Sequence, residues 1–139
     1  MRIKHEYTNR RLKRQDILYP ELSFKTIGSA FDVYNQIGWG HNEKVYQSAL
    51  AVVLEKLSIP FEREKLVTLE FEGKKIARKF LDFVIDDKVI AELKVAPQLG
   101  YVHINQVTSY LKSTGLKLAI IIYFLPSGVR YRRVVNYLS

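Results

Sequence analysis

The chain reads FLDFVI at residues 80–85 and VIAELK at residues 89–94. Both stretches are rich in the branched and aromatic residues typical of strands, and a short polar connection joins them, so they predict a β-hairpin. Asp82 interrupts the first strand, and Glu92 and Lys94 interrupt the second. Charged side chains in apolar strands call for an explanation, because burying a charge without a partner or a metal ion is expensive.

The length of the connection decides whether Asp82 and Glu92 can act together. With a two-residue loop, residues 86–87, Glu92 would point to the face opposite Asp82. With a three-residue loop, residues 86–88, Asp82 lies directly across from Glu92, with Cβ atoms about 5 Å apart. Lys94 then shares their face, because side chains alternate along a strand. A site built on these residues therefore requires the three-residue loop or a bulge.

Two carboxylates that converge can hold Mg²⁺, with Mn²⁺ as a substitute, and a nearby lysine can stabilise an anion that reacts there. The alternative is a solvent-facing stripe in which Asp82 pairs with Lys94 across the strands. Such surface pairs are common and contribute little to stability. The three residues alone do not separate a catalytic site from this alternative.

Composition limits the class of protein. The 139 residues suit one domain with a real core, and no apolar run approaches the length of a membrane span. The basic N-terminus is not followed by the apolar stretch of a secretory signal. The chain has no cysteine, which removes disulfides and cysteine catalysis and fits a cytoplasmic protein.

The net charge of +8 is unevenly distributed. Residues 1–16 carry six basic and two acidic side chains, and residues 93–139 carry six basic and no acidic side chain. A surplus of this kind favours a polyanion partner, above all nucleic acid. The candidate phosphate contacts are Arg10, Arg11, Lys13, Arg14, Arg130, Arg132 and Arg133.

Hydrophobic periodicity and turn residues predict an α/β domain, residues 18–139, after a basic arm, residues 1–17. Helices are expected at residues 21–37, 42–57 (with Asn42 as N-cap) and 101–113. Strands are expected at residues 61–71, 74–85, 89–95 and 116–125, and residues 129–138 form a last strand or short helix. The order predicts a mixed sheet of four to five strands with helices on both faces, and a parallel crossover through the third helix.

Several ordered motifs resemble one family. Residues 40–46 read GHNEKVY, which is G-x-x-E-x-x-Y. The other landmarks are Ile37-Gly38-x-Gly40, VIAELK at residues 89–94, His103-x-x-Gln106 and Thr108-x-Tyr110-Leu111. Together they resemble the GxxExxY family of the PD-(D/E)xK superfamily, over residues 22–136. Residues 106–110 also resemble the Q-x-x-x-Y motif of RecB-type nucleases, and Leu81 stands where the superfamily name has proline.

The resemblance implies a restriction-endonuclease-like three-layer α/β/α core and a Mg²⁺-dependent nuclease that acts on DNA. The implied metal ligands are Asp82, Glu92, the carbonyl of Leu93 and, directly or through water, Glu43. Lys94 would stabilise charge or orient water, and Gln106 and Tyr110 would position substrate or water. Junction-cleaving relatives act as dimers, which makes a homodimer plausible. The alternatives are a non-catalytic nucleic-acid-binding module and an interaction subunit on the same fold.

Overall fold

The computed structural model describes residues 18–100 and 102–137. The basic arm, with the predicted contacts Arg10, Arg11, Lys13 and Arg14, lies outside the described residues, as does Tyr101. The elements are α1 (Pro20–Ile37), α2 (Glu43–Lys56), β1 (Phe61–Phe71), β2 (Lys74–Ile85), β3 (Val89–Val95), α3 (Val102–Thr114), β4 (Leu118–Leu125) and β5 (Gly128–Val135). The predicted order of elements is confirmed, and the last element is a strand.

The five strands form one mixed sheet in the order β1-β2-β3-β4-β5. β3 and β4 run parallel, and every other neighbouring pair is antiparallel. The parallel pair is joined through α3, because parallel strands need a long crossover connection. The predicted mixed sheet and crossover are therefore confirmed.

Helices cover both faces of this sheet. All eight residues of β4 are buried. Ile120 and Ile122 pack in the core beneath α1 and α2, whereas Ile121 packs in the core beneath α3. This alternation explains why β4 is a continuous apolar run, and it confirms the three-layer α/β/α arrangement. No helix in the described ranges is long and apolar enough to cross a membrane.

The start of α2 is fixed by a cap and an aromatic contact. The Asn42 side chain accepts a hydrogen bond from the Val45 N–H at 3.1 Å, as predicted for an N-cap. Tyr46 is fully buried, its hydroxyl donates to the Gly38 carbonyl at 2.6 Å, and its ring stacks on Phe124 with centroids 4.1 Å apart. These contacts hold the first turn of α2 against the sheet, and Glu43 is its first residue.

The β2–β3 hairpin has the three-residue loop that the site requires. Phe83 pairs with Ala91 and Ile85 with Val89, which leaves residues 86–88 in the loop. Asp86 and its neighbour Asp87 adopt left-handed backbone angles, with φ of 53° and 55°. Aspartate tolerates this conformation better than most residues. The prediction of a three-residue connection is confirmed.

β2 is paired with β3 only over residues 83–85, but its pairing with β1 extends from Lys74 to Ile85, with breaks at Ile76 and Asp82. Beyond the point where β2 leaves β3, the two strands β1 and β2 continue as a ribbon, residues 65–81. The separation point of β2 and β3 is called the fork below. Asp82 and Glu92 lie at the fork, because each is the next residue after the last pair, Phe83 and Ala91.

Candidate active site

At the fork, side chains replace the backbone ladder between β2 and β3. The Asp82 N–H donates to Glu92 Oε1 at 3.1 Å, and the Leu93 N–H donates to Asp82 Oδ2 at 2.8 Å. Each carboxylate thus accepts a backbone hydrogen bond from the opposite strand through one oxygen. An ionised carboxylate offers about four lone-pair sites, so each retains capacity for another partner. The exchange holds the two acidic side chains together at one place.

The electrostatics of this pair favour a cation. Glu92 is only 3% exposed, and its pKa is raised from 4.5 to about 8, first by burial and next by the negative charge of Asp82. Lys94 acts in the opposite direction and lowers the pKa. A divalent ion between the carboxylates would offset the same repulsion more strongly, and carboxylate and carbonyl oxygens are the ligands that Mg²⁺ takes. The donor set therefore fits a divalent metal ion.

Glu43 reaches the same cluster from the helical layer. Burial raises the pKa of this half-buried side chain, Lys94 lowers it and Asp82 raises it. Glu43 is therefore within electrostatic range of Lys94 and Asp82 and is not in bulk solvent. In the described ranges, however, no three His, Cys, Asp or Glu side chains are close enough to hold one ion together. Of the two predicted roles for Glu43, this geometry suits contact through a water better than direct ligation.

Lys94 supplies the positive charge of the cluster. It follows Glu92 by two positions on β3, so the two side chains point to the same face. Its ammonium lowers the pKa of both Glu92 and Glu43, and it also lowers the pKa of His103, although burial has the larger effect on His103. Lys94 is thus placed among the acidic groups rather than on an open stripe.

α3 forms one wall of the site. Burial raises the pKa of Tyr110, and the charges of Glu92 and Asp82 raise it further, whereas a hydrogen bond from Gln106 lowers it. Gln106 Oε1 and His103 Nδ1 are buried without a hydrogen-bond partner in the described part of the chain. Such atoms suit water or substrate bound at the wall. Glu43, Lys94 and Tyr110 are thus within electrostatic range of the pair Asp82 and Glu92, and Gln106 is hydrogen-bonded to Tyr110.

The three predicted phosphate-binding arginines of β5 separate into two groups. Arg130 is exposed, and it aligns with Lys94 through Tyr123 of the intervening strand, about 10 Å across two strand spacings. Arg132 and Arg133 are only 2% and 5% exposed. The Arg132 guanidinium lies over the Tyr123 ring, and Arg133 Nη2 donates to the Leu18 carbonyl at 2.5 Å. The burial argues against the predicted phosphate contacts of Arg132 and Arg133, because both faces of β5 are covered there.

One positioning contact had no signal in the sequence. Lys44, in the first turn of α2, forms an ion pair with Glu64 of β1. Glu64 has a left-handed φ of 52° and occupies the β1 position across from Asp82, where the ladder is interrupted. The pair is exposed, so it contributes little to stability, but it joins α2 to the strand beside the site. The two residues are 20 positions apart, so only the fold brings them together and no local sequence pattern predicts the contact.

Comparison with known proteins identifies the superfamily and the fold. A profile of the PD-(D/E)XK nuclease superfamily matches residues 20–134. No curated protein matched the chain. The crystal structure of SSO0001 is similar in fold, with a TM-score of 0.56 and 20% sequence identity over 69% of this chain. The match covers 50% of that protein, so this chain spans about half its length. Since the profile extends from α1 to β5 and includes the fork, the chain belongs to the PD-(D/E)XK nuclease superfamily.

Proposed function

We propose that the protein is a metal-dependent nuclease that hydrolyses phosphodiester bonds of DNA, and that it belongs to the GxxExxY branch of the superfamily. The observation that carries the proposal is the exchange of hydrogen bonds at the fork. It holds Asp82 and Glu92 together. Lys94 follows Glu92 by two positions on β3 and so points to the same face. Two carboxylates at one place, of which Glu92 is buried and Asp82 is partly buried, repel each other, and a resident cation explains why the chain keeps them there.

The proposed metal ligands are Asp82, Glu92 and the carbonyl of Leu93. Nucleases of this superfamily typically use divalent metal ions. The proposed ion is Mg²⁺, with Mn²⁺ as a substitute, because all three ligands offer hard oxygen atoms. When bound, the ion would polarise the scissile phosphate and lower the pKa of an attacking water.

The other site residues act on the substrate and on water. Lys94 carries a positive charge beside the ligands, so it can stabilise negative charge that develops on the phosphate oxygens. Glu43 orients a water from the α2 side. Tyr110 and Gln106 form a polar wall on the α3 side, and they position the phosphate or its bound water. The Q-x-x-x-Y resemblance supports this assignment.

The basic residues outside the site suit DNA binding. Arg130 is exposed near Lys94, and Arg10, Arg11, Lys13 and Arg14 of the arm add four more positive charges. Such residues contact phosphates and position DNA without reading its sequence. A cytoplasmic location and a homodimer are part of the proposal, on the grounds given by composition and by the resemblance.

The experiment is cleavage of labelled duplex, branched and single-stranded DNA, and of RNA, in Mg²⁺, Mn²⁺ or EDTA. Wild type should cut DNA in a metal-dependent way, and Asp82→Asn, Glu92→Gln and Lys94→Ala should each abolish cutting. Asp32→Asn and Lys112→Ala change exposed residues outside the site and should cut like wild type. If wild type cuts nothing and calorimetry shows no metal uptake that depends on Asp82, a non-catalytic nucleic-acid-binding module replaces the nuclease.

A further inference from the structure

One face of the ribbon is left open. Val67 and Leu81 are buried in the core beneath α3. Neighbouring residues on a strand point to opposite faces, so Leu66 and its cross-strand partner Phe80 point away from α3. The same alternation places residues 74, 76 and 78 on that side, and Phe71 joins them as the partner of Lys74. The open face is defined as Leu66, Phe71, Lys74, Ile76, Arg78 and Phe80.

The open face combines apolar groups with positive charge. Its four hydrophobic side chains are 42–64% exposed, and two of them are the aromatic rings of Phe71 and Phe80. Lys74 lies directly across from Phe71, and Arg78 lies between Lys74 and Phe80 along β2. No acidic residue of β1 or β2 shares this face between Leu66 and Phe80, since Glu70 pairs with Lys75 on the opposite side. An apolar face of this kind, with cations only, needs a partner that is both apolar and negatively charged.

The open face begins beside the fork. Phe80 precedes Asp82 by two positions on β2. At about 3.3 Å per residue, that is roughly 7 Å, and the face runs about 20 Å from Phe80 to Lys74. At about 3.4 Å per nucleotide of a stacked strand, 20 Å accommodates about six nucleotides. A chain of nucleotides that leaves the fork can therefore lie along the ribbon.

We infer that the open face binds single-stranded nucleic acid, whose bases stack on Phe71 and Phe80 and whose phosphates contact Lys74 and Arg78. Aromatic rings with adjacent cations are the usual surface for unpaired bases, since every base presents a π-face. A duplex hides these faces within its stack. The inference rests on the proposed function only in that the bound strand continues into the site, and it names a strand with unpaired bases as the substrate.

A second copy of the chain fits this face less well. In a two-fold dimer the same patch lies on both sides of the interface. Lys74 and Arg78 of both copies would then lie in one interface, with no acidic residue of the face to balance them. Like charges brought together at an interface cost several kcal/mol. The charge of the open face thus complements phosphates rather than itself.

The test is a binding measurement without cleavage, in EDTA. The probe is a fluorescent oligothymidylate of about 12 nucleotides, and a duplex of the same length is the comparison. Phe71→Ala should weaken binding of the oligothymidylate by about 5- to 150-fold, the cost of removing one stacked base, and should change duplex binding by less than about twofold. Phe71→Tyr keeps the ring and should bind like wild type. Phe31→Ala, which removes an exposed ring from α1, is the matched control.

Arg78→Ala gives an independent measurement. The slope of log K against log salt for the oligothymidylate should fall by about 0.7 if Arg78 neutralises one phosphate in the wild-type complex. Lys112→Ala on α3 should leave the slope unchanged. Circular dichroism checks that each variant is folded. The inference is overturned if wild type does not bind the oligothymidylate, or if Phe71→Ala and Arg78→Ala bind it like wild type.

Three further outcomes separate this inference from its alternatives. If sedimentation shows a dimer that Phe71→Ala converts to monomer while oligothymidylate binding is unchanged, a second copy occupies the face and the inference is wrong. If wild type binds through Phe71 but cuts no substrate in Mg²⁺ or Mn²⁺, the inference is supported and the proposed nuclease activity fails. If wild type cuts DNA and neither Phe71→Ala nor Arg78→Ala changes binding or cleavage, the nuclease activity is supported and the inference about the open face is wrong.

Discussion

Replacing Glu92 by glutamine should make the metal-free protein more stable at alkaline pH. The folded state raises the pKa of Glu92 from 4.5 to about 8, because the carboxyl is buried beside Asp82. Between those two values the unfolded chain has already released the proton that the folded protein retains. The free energy of unfolding of wild type therefore decreases as pH rises through this window. Glutamine carries no charge at any pH, and its Oε1 can still accept the Asp82 N–H.

The size of the effect follows from the pKa difference. At about 1.4 kcal/mol per pKa unit, the increase from 4.5 to about 8 corresponds to an upper bound of roughly 5 kcal/mol. Glu92 is 3% exposed, so solvent screens it little. We expect the free energy of unfolding of Glu92→Gln to exceed that of wild type by about 2–5 kcal/mol above pH 8. Below about pH 5 the two values should differ little. Such a change is a large fraction of the stability of a small domain, about 5–15 kcal/mol.

The assay is urea unfolding in EDTA, followed at pH values from about 5 to 9. Glu55→Gln, which changes an exposed carboxylate of α2, is the control. Its free energy of unfolding should equal that of wild type at every pH. Adding Mn²⁺ should narrow the gap between wild type and Glu92→Gln, because the ion stabilises only the protein that binds it. Parallel curves for wild type and Glu92→Gln over the whole range would refute the argument, since Glu92 would then be ionised as readily in the folded protein.

Four other changes test separate parts of the structure. Lys94→Ala should abolish cleavage but keep Mn²⁺ affinity near that of wild type in calorimetry, since an ammonium cannot ligate a cation; a parallel decrease in metal binding would contradict its role. Asp82→Asn should also abolish cleavage, yet metal-free DNA binding should be equal or tighter, because a charge that repels phosphate is gone; weaker binding would count against this site. Tyr46→Phe should lower the free energy of urea unfolding by about 1–2 kcal/mol, because the Gly38 carbonyl loses its donor; an unchanged value would show that water replaces the hydroxyl. Removing residues 1–16 should lower the salt slope of duplex binding by about 0.9 for each phosphate that the arm neutralises, and an unchanged slope would exclude the arm from binding.

Local patterns in the chain were sufficient for most of the fold. The periodicity of α1 and α2 and the cap at Asn42 each depend on residues that are neighbours in sequence. The strand expected at residues 116–125, which is β4, follows from a continuous apolar run in the same way. Strand alternation together with the loop at residues 86–88 was enough to bring Asp82 and Glu92 to one face.

Charge counting was a poorer guide to β5. A count of charges treats Arg130, Arg132 and Arg133 alike, but of these three only Arg130 is exposed. Arg132 pairs with Ile121 and Arg133 with Ile120, in the part of β5 that is covered on both faces. Whether an arginine meets solvent or the interior is decided by the elements packed over it, and those elements lie far away in the sequence.

The sequence by itself determined the elements, their order and the acidic pair at the hairpin, because each depends on short-range geometry of the backbone. The tertiary structure decided what surrounds that pair. Only the packed chain brings Glu43 and Tyr110 to the fork from opposite layers of the sheet. It also decides that β2 leaves β3 after Phe83, so that side chains replace the ladder and one face of the ribbon is left open. These features depend on contacts between distant segments, which no local spacing of residues specifies.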